Sequence, residues 1–328
     1  MYATAEGTAR YANRHPDYRR AGFYRTIFDL QVSTLGIGTY LGAMDDSAQA
    51  AYIDALIAAA GGGINFFDTA INYRHQLSER AIGAALKQLQ RDEIVVCTKA
   101  GFLTPGAVPD SLNGSDVVAG MHSMAPTFLA DQIERSRSNL GVDTIDVFYL
   151  HNPELQLQFI SREDFEARVR RAFLQLERLV AEEKIRWYGA ATWEGFRKPG
   201  LLNLARLAEI ATEEGGPEHH FRFVQLPFNL AMVEALDVLG TAAELQIAVV
   251  ASATLMQTEV MVHMPDGARA LLPGLATDAQ RAIQFTRSTP GVSVALVGMG
   301  RREHVAENLG VAGAPPLTED EYLRLYQS

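Results

Sequence analysis

The chain has 328 residues, with 29 Lys and Arg against 39 Asp and Glu, a formal net charge of -10 and a pI near 5.3. That balance argues against a nucleic-acid partner, which demands an excess of basic side chains, and favours small-molecule partners. The one cysteine, Cys97, excludes an internal disulfide and points to a reducing compartment, with the cytoplasm as the expectation.

Residues 1–25 carry Arg and Tyr without an apolar stretch, so they read as a surface arm and not as a secretory signal. No apolar segment, Ile247 to Met256 included, reaches the roughly 18 to 20 residues that a membrane span needs. From Val32 onward, short apolar runs alternate with helix-like stretches. The strands are expected at Val32 to Ile37, Ile64 to Phe67, Ile94 to Thr98, Ile145 to Leu150, Ile185 to Ala190, Arg222 to Leu226, Ile247 to Ala251 and Val292 to Val297. The helices between them are expected at Ser47 to Ala60, Ser78 to Leu89, Pro126 to Leu140, Arg162 to Glu183, Leu201 to Glu214, Met232 to Leu245 and Asp278 to Arg287, with a last one from Arg302.

Eight strands, each followed by a helix, predict a (β/α)8 barrel with an N-terminal extension and long loops over its C-terminal face. No linker divides the chain, so 1–328 reads as one domain with 1–25 as its arm. An open doubly wound sheet is the alternative, but Gly36-Ile37-Gly38-Thr39-Tyr40 does not complete its Gly-rich dinucleotide fingerprint. Asp45 and Asp46 suit the start of the first helix, and Ser78 is expected to cap the second, with Glu79 in its first turn. The segment 101–125 is long enough to be a flap over the barrel mouth or a surface excursion.

Three successive strands end in polar residues: Asp68 after Ile64 to Phe67, Lys99 after Ile94 to Thr98, and His151 after Val147 to Leu150. Side-chain alternation aims all three the same way, and neighbouring strands about 5 Å apart let Asp68 pair with Lys99 while His151 flanks them. Tyr73, in the loop after Asp68, can fold back over that pair. A nearby ammonium favours the phenolate, so Tyr73 is expected to have a lowered pKa and to serve as an acid for a carbonyl oxygen that becomes an alkoxide. No metal site is expected, since His151, His219, His220 and Cys97 lack ligand spacing. Taken singly, each polar residue has an ordinary structural explanation. Gathered on one face of three adjacent strands, they read as catalytic.

Gly63 to Ala70 with Tyr73 and Ser78-Glu79, together with Thr98-Lys99 and Leu150-His151-Asn152-Pro153, resembles the signature of the aldo-keto reductases. Gly36 to Thr39 and Glu307-Asn308-Leu309 match in order, so the resemblance runs from about Val32 to Asn308. It implies a (β/α)8 barrel that transfers a hydride between a nicotinamide cofactor and a carbonyl or alcohol. By that likeness Tyr73 is the general acid, Lys99 tunes it, Asp68 holds Lys99, and His151 orients the substrate oxygen. Cofactor contacts carry over to Gly38, Thr39, Tyr40, Asp68, Thr192, Gln225, Ser252, Leu255, Gly298, Gly300, Arg301, His304, Glu307 and Asn308. The family's usual Ser-Asn pair is here Ala191-Thr192, and Ser252 replaces the ring that commonly stacks on the nicotinamide. Tyr40, Phe102, Trp193, Phe228 and Met256 are expected around the substrate pocket. His304 stands where the family has an arginine for the 2′-phosphate, and Arg301 and Arg302 stand beside it. NADP is therefore the expected cofactor, with NAD following if those arginines only face solvent. The leading reading is an NADP-dependent oxidoreductase. The alternatives are a cofactor-binding sensor or regulatory subunit and a redox-neutral isomerase that uses bound cofactor; oligomeric state stays open.

Overall fold

The computed structural model describes residues 1–262, 264, 269, 272 and 274–325. Its strands, in chain order, are β1 Tyr24–Ile27, β2 Leu30–Ser33, β3 Leu35–Gly38, β4 Phe66–Asp68, β5 Val95–Ala100, β6 Val117–Val118, β7 His122–Ser123, β8 Ile145–His151, β9 Ile185–Ala191, β10 Phe221–Pro227, β11 Ala248–Ser252 and β12 Val292–Gly298. Eight of them, β3, β4, β5, β8, β9, β10, β11 and β12, close into a parallel barrel in which β12 pairs back to β3. The expected (β/α)8 architecture is thus the observed one.

Each barrel strand is covered on both faces, which is why it reads as an unbroken apolar run. Residues of one parity, among them Phe66, Val95, Cys97, Val147, Tyr149, Phe223 and Val294, fill the barrel interior. Those of the other parity, such as Phe67, Val96, Phe148, Leu150, Val224 and Leu226, face the surrounding helices. Gly189 shows how tight the interior is. A Cβ there would lie 2.0 Å from the Phe223 carbonyl oxygen and 3.1 Å from the Tyr149 ring.

The expected first strand, Val32 to Ile37, is in fact two. Leu30–Ser33 pairs antiparallel with Tyr24–Ile27, and the barrel strand begins only at Leu35. Ile27, Leu30 and Val32 of this hairpin join the interior cluster and seal the end of the barrel where the strands begin. Residues 1–25, expected as a surface arm, also pack inward. Helix Ala5–Asn13 is capped by Thr4, the Tyr11 hydroxyl donates to the Ala60 carbonyl at 2.5 Å, and Tyr11 and Phe23 are buried.

At the opposite end, Asp45 caps helix Asp46–Gly61 as expected. Ser78 does not cap the next helix, Leu77–Leu86. It lies inside the first turn and donates to the Thr39 carbonyl at 2.7 Å, while Glu79 is buried and accepts from Thr98 and Asn139. The segment 101–125 doubles back on itself, with Phe102 bridging His122 and the Ser123 N–H donating to the Gly101 carbonyl at 2.8 Å. It stands beside His151 as a folded excursion. No helix among the described residues is long and apolar enough to cross a membrane.

Candidate active site

The polar ends of β4, β5 and β8 converge because the strands run in register, Asp68 beside Cys97 and Lys99 beside Tyr149. Lys99 donates to Asp68 Oδ1 at 2.5 Å and to the Thr69 carbonyl at 2.7 Å, and Gln225 Nε2 donates to Asp68 Oδ2 at 2.8 Å. Both charges are withdrawn from water. Burial opposes the ammonium, yet Asp68 and Tyr73 together lift the Lys99 pKa above its ordinary value, so the lysine stays charged. Burial raises the Asp68 carboxyl, and Lys99 and Gln225 counter that rise.

Tyr73 is half-buried, and Lys99 Nζ lies 5.0 Å from the centre of its ring. The expected fall in its pKa is reversed in this structure. Burial raises the phenol, Lys99 opposes the rise, and the balance keeps the proton on the oxygen. The His151 ring lies edge-on to Tyr73 with centres 5.7 Å apart. Burial, with Lys99 and His122 nearby, holds its pKa well below the ordinary value, so the imidazole is neutral, and Nδ1 has no hydrogen-bond partner among the described residues. The four residues singled out from sequence therefore meet at one place.

Several expected cofactor contacts border the same mouth. The Thr192 hydroxyl is buried without a partner among the described residues, Gln225 reaches in from β10, and Ser252 at the end of β11 and Leu255 after it are half-buried. Tyr40 is 58 % exposed, its ring centre 4.9 Å from that of Tyr73. Gly38 is buried, and the Thr39 hydroxyl is spent on the Asp68 carbonyl at 3.2 Å, so that side chain does not face the mouth. Gly298, at the end of β12, and Arg301, His304 and Glu307 after it are exposed, Gly300 is half-buried against Tyr52, and Asn308 is buried. Arg302 points to Asp54 at 3.2 Å, which leaves Arg301 as the guanidinium turned to solvent without an ion pair among the described residues.

Of the expected pocket residues, Trp193 is 47 % exposed and Phe102, edge-on to His151 at 5.1 Å, is half-buried. Met256 is half-buried in the loop after β11. Phe228 does not belong with them. It is fully buried and stacks on Phe285, because Gln225 points into the barrel and Phe228, three positions on, takes the opposite parity.

The sequence reading missed the residues that hold these walls. His122, fully buried, donates from Nε2 to the His151 carbonyl at 2.8 Å and accepts at Nδ1 from Gln156 at 2.9 Å. The carbonyl can only accept, which fixes the tautomer. Glu154 accepts from three successive backbone N–H groups of residues 193–195. Arg74 is buried under the Tyr40 loop, donating to the Ala43 carbonyl at 2.8 Å, and begins a run of left-handed residues, Arg74, His75 and Gln76. A lone polar residue in a loop gives no periodic signal, so nothing in the sequence pointed to any of them.

Comparison with known proteins sets this geometry in a family. The model described as the aldo/keto reductase family matches residues 34–263. The chain is 34% identical over 154 residues to D-threo-aldose 1-dehydrogenase of a Pseudomonas species, across 44% of each protein. It is 29% identical over 170 residues to NADH-specific methylglyoxal reductase of Escherichia coli, across 50% of this chain and 49% of that one. These matches span about half the length of the curated relatives or less. The crystal structure of an aldo/keto reductase from Klebsiella pneumoniae in complex with NADP and acetate superposes with a TM-score of 0.69 at 21% identity, over 92% of this chain and 93% of that one.

Proposed function

The chain belongs to the aldo/keto reductase family, and on that footing we propose that it is an NADP-dependent oxidoreductase acting on a carbonyl or alcohol substrate. The observation that carries the reading is the buried Lys99–Asp68 pair set under Tyr73, with a neutral His151 beside it. A buried ion pair is weak evidence for stability, since desolvation offsets its attraction, so its presence at a strand end calls for a chemical reason.

Residues at the mouth fit a nicotinamide. The unpartnered Thr192 hydroxyl and the Gln225 amide, which keeps one hydrogen beyond the bond to Asp68, are placed to bind its carboxamide. When bound in reduced form, the cofactor supplies the hydride that reaches the carbonyl carbon. Tyr73 gives its phenolic proton to the carbonyl oxygen, so the product is the alcohol. Lys99 stabilises the phenolate left behind, Asp68 keeps the ammonium aimed, and His151 orients the substrate oxygen. In the reverse direction the alcohol proton returns to Tyr73. The phenol that burial keeps protonated suits the reductive direction. With Arg302 engaged by Asp54, Arg301 is the guanidinium for a 2′-phosphate and His304 its neighbour. Ser252, Leu255, Gly298, Gly300, Glu307 and Asn308 complete the cofactor side, and Tyr40, Phe102 and Trp193 the substrate side.

The test is a titration with NADPH and NADH followed by a carbonyl panel. NADPH binding that weakens in Arg301→Ala, together with carbonyl-dependent NADPH oxidation, is the expected result. Cofactor oxidation with no member of the panel would remove the oxidoreductase reading, and preferred NADH would reassign the cofactor.

A further inference from the structure

Glu154 is 4 % exposed and sits three residues after His151, in the turn Pro153–Gln158 that leaves β8. Its Oε1 accepts from the backbone N–H groups of Trp193 at 2.7 Å, Glu194 at 3.0 Å and Gly195 at 3.2 Å. Three successive amides aimed at one carboxylate oxygen form a nest, an arrangement that fixes a turn more tightly than any single hydrogen bond does. The turn is compact on its other side as well. A Cβ at Gly195 would lie 2.6 Å from Leu202 and 3.0 Å from the Thr192 methyl. Thr192 is held in turn by its N–H donating to the Gln225 carbonyl at 2.8 Å. Trp193, by contrast, exposes nearly half of its surface, and no ring stacks on it among the described residues. The backbone from which its ring departs is held by the Glu154 bonds.

We propose that Glu154 is a positioning residue: its grip on the 193–195 amides sets Trp193 as a fixed wall for substrates with a flat apolar body. The substrate part of this inference rests on the oxidoreductase reading. The part about Trp193 does not. One short segment then serves both sides of the reacting centre, His151 toward the carbonyl oxygen and Glu154 toward the wall that receives the rest of the molecule.

The experiment uses the full chain carrying Trp187→Phe, which leaves Trp193 as the single tryptophan. Its fluorescence anisotropy and its quenching by acrylamide are read without cofactor or substrate. In that background Glu154→Ala is expected to lower the anisotropy and increase quenching. Glu154→Asp keeps the charge but cannot reach three amides, and should do the same; Glu154→Gln keeps the accepting oxygen and should stay near the parent. In steady state, kcat/KM for benzaldehyde should fall about tenfold or more in the Ala and Asp variants while that for propanal changes much less, the size expected when one apolar wall is lost. Trp193→Ala should reproduce that ratio, and adding Glu154→Ala to it should cost little more.

Unchanged anisotropy and an unchanged aldehyde ratio in Glu154→Ala would overturn the proposal. So would parallel losses for both aldehydes in Ala, Asp and Gln alike, since that pattern marks a merely structural group. If Glu154→Ala does not fold, Glu154→Asp against Glu154→Gln decides in the same way. If the protein turns over no carbonyl at all, the oxidoreductase reading fails while the anisotropy still decides whether Glu154 sets Trp193.

Discussion

At the end of the barrel where the strands begin, the β1–β2 hairpin inserts the apolar side chains Ile27, Leu30 and Val32 beneath Phe66, Val95, Val147 and Phe223. At the end where the strands finish, the same barrel buries an ion pair, a neutral histidine and hydroxyls with no partner among the described residues. The backbone there is also strained, with Arg74, His75, Gln76 and Asn152 all at positive φ, a conformation that costs roughly 1–2 kcal/mol per non-glycine residue. Strain is not confined to that end, since Phe28, Glu183 and Gln246 also take positive φ where strands begin; what differs is that the buried Asp146 at the beginning of β8 is saturated by Ala3, Val96 and Arg91, whereas His151 Nδ1 and the Thr192 hydroxyl at the mouth have no partner among the described residues.

The contrast breaks most visibly at Lys99. Lys99→Met leaves Asp68 charged and unpaired in the interior, so denaturant unfolding should show a loss of about 3–5 kcal/mol. Adding Asp68→Asn should return most of that stability and none of the turnover. Recovery of both would mean that the pair is structural.

Leu30→Ala probes the other end. Truncation of a buried leucine should cost about 2–5 kcal/mol, and the activity of the remaining folded protein should match the parent. A change in KM with the fold intact would show that the two ends are coupled.

The pH dependence of stability separates the ends again. Burial lowers the His122 pKa to about 4, against about 6.5 unfolded. Between those values the unfolded chain binds the extra proton and the folded one does not, so stability is complete above about pH 6.5 and is lost as pH falls toward about 4. His151, lowered well below its ordinary value by burial, acts in the same direction. His122→Gln should flatten part of this slope in thermal melts taken across that range, and an unaltered slope would remove His122 from the account.

The smallest effect is expected at His75, which is exposed with a φ of 49°. His75→Gly should raise the free energy of unfolding by up to about 1 kcal/mol, seen as a higher melting midpoint. A lowered midpoint would show that the turn after Tyr73 carries no strain.

The same contrast explains what could be read from the sequence. Barrel strands are buried on both faces, so their apolar runs stood out, and a polar residue ending such a run was conspicuous at Asp68, Lys99 and His151. The split between Leu30–Ser33 and Leu35–Gly38 is hidden, because hairpin and barrel strand follow one another with only Thr34 between them and no Gly or Pro marks the break. Phe228 was misplaced by the parity of a strand end, and Ser78 looked like a cap although its hydroxyl serves the Thr39 carbonyl. Glu154, His122, Gln156 and Arg74 act through contacts between loops distant in sequence, and no local pattern announces such contacts.

The most direct measurement is Tyr73→Phe, compared with the parent for NADPH-driven carbonyl reduction and for NADPH affinity. If the phenol is the acid, turnover should fall by about 10²–10⁴-fold while affinity and melting temperature hold. Turnover that survives the loss of the hydroxyl would contradict the assignment of the strand-end cluster as a proton-delivering site.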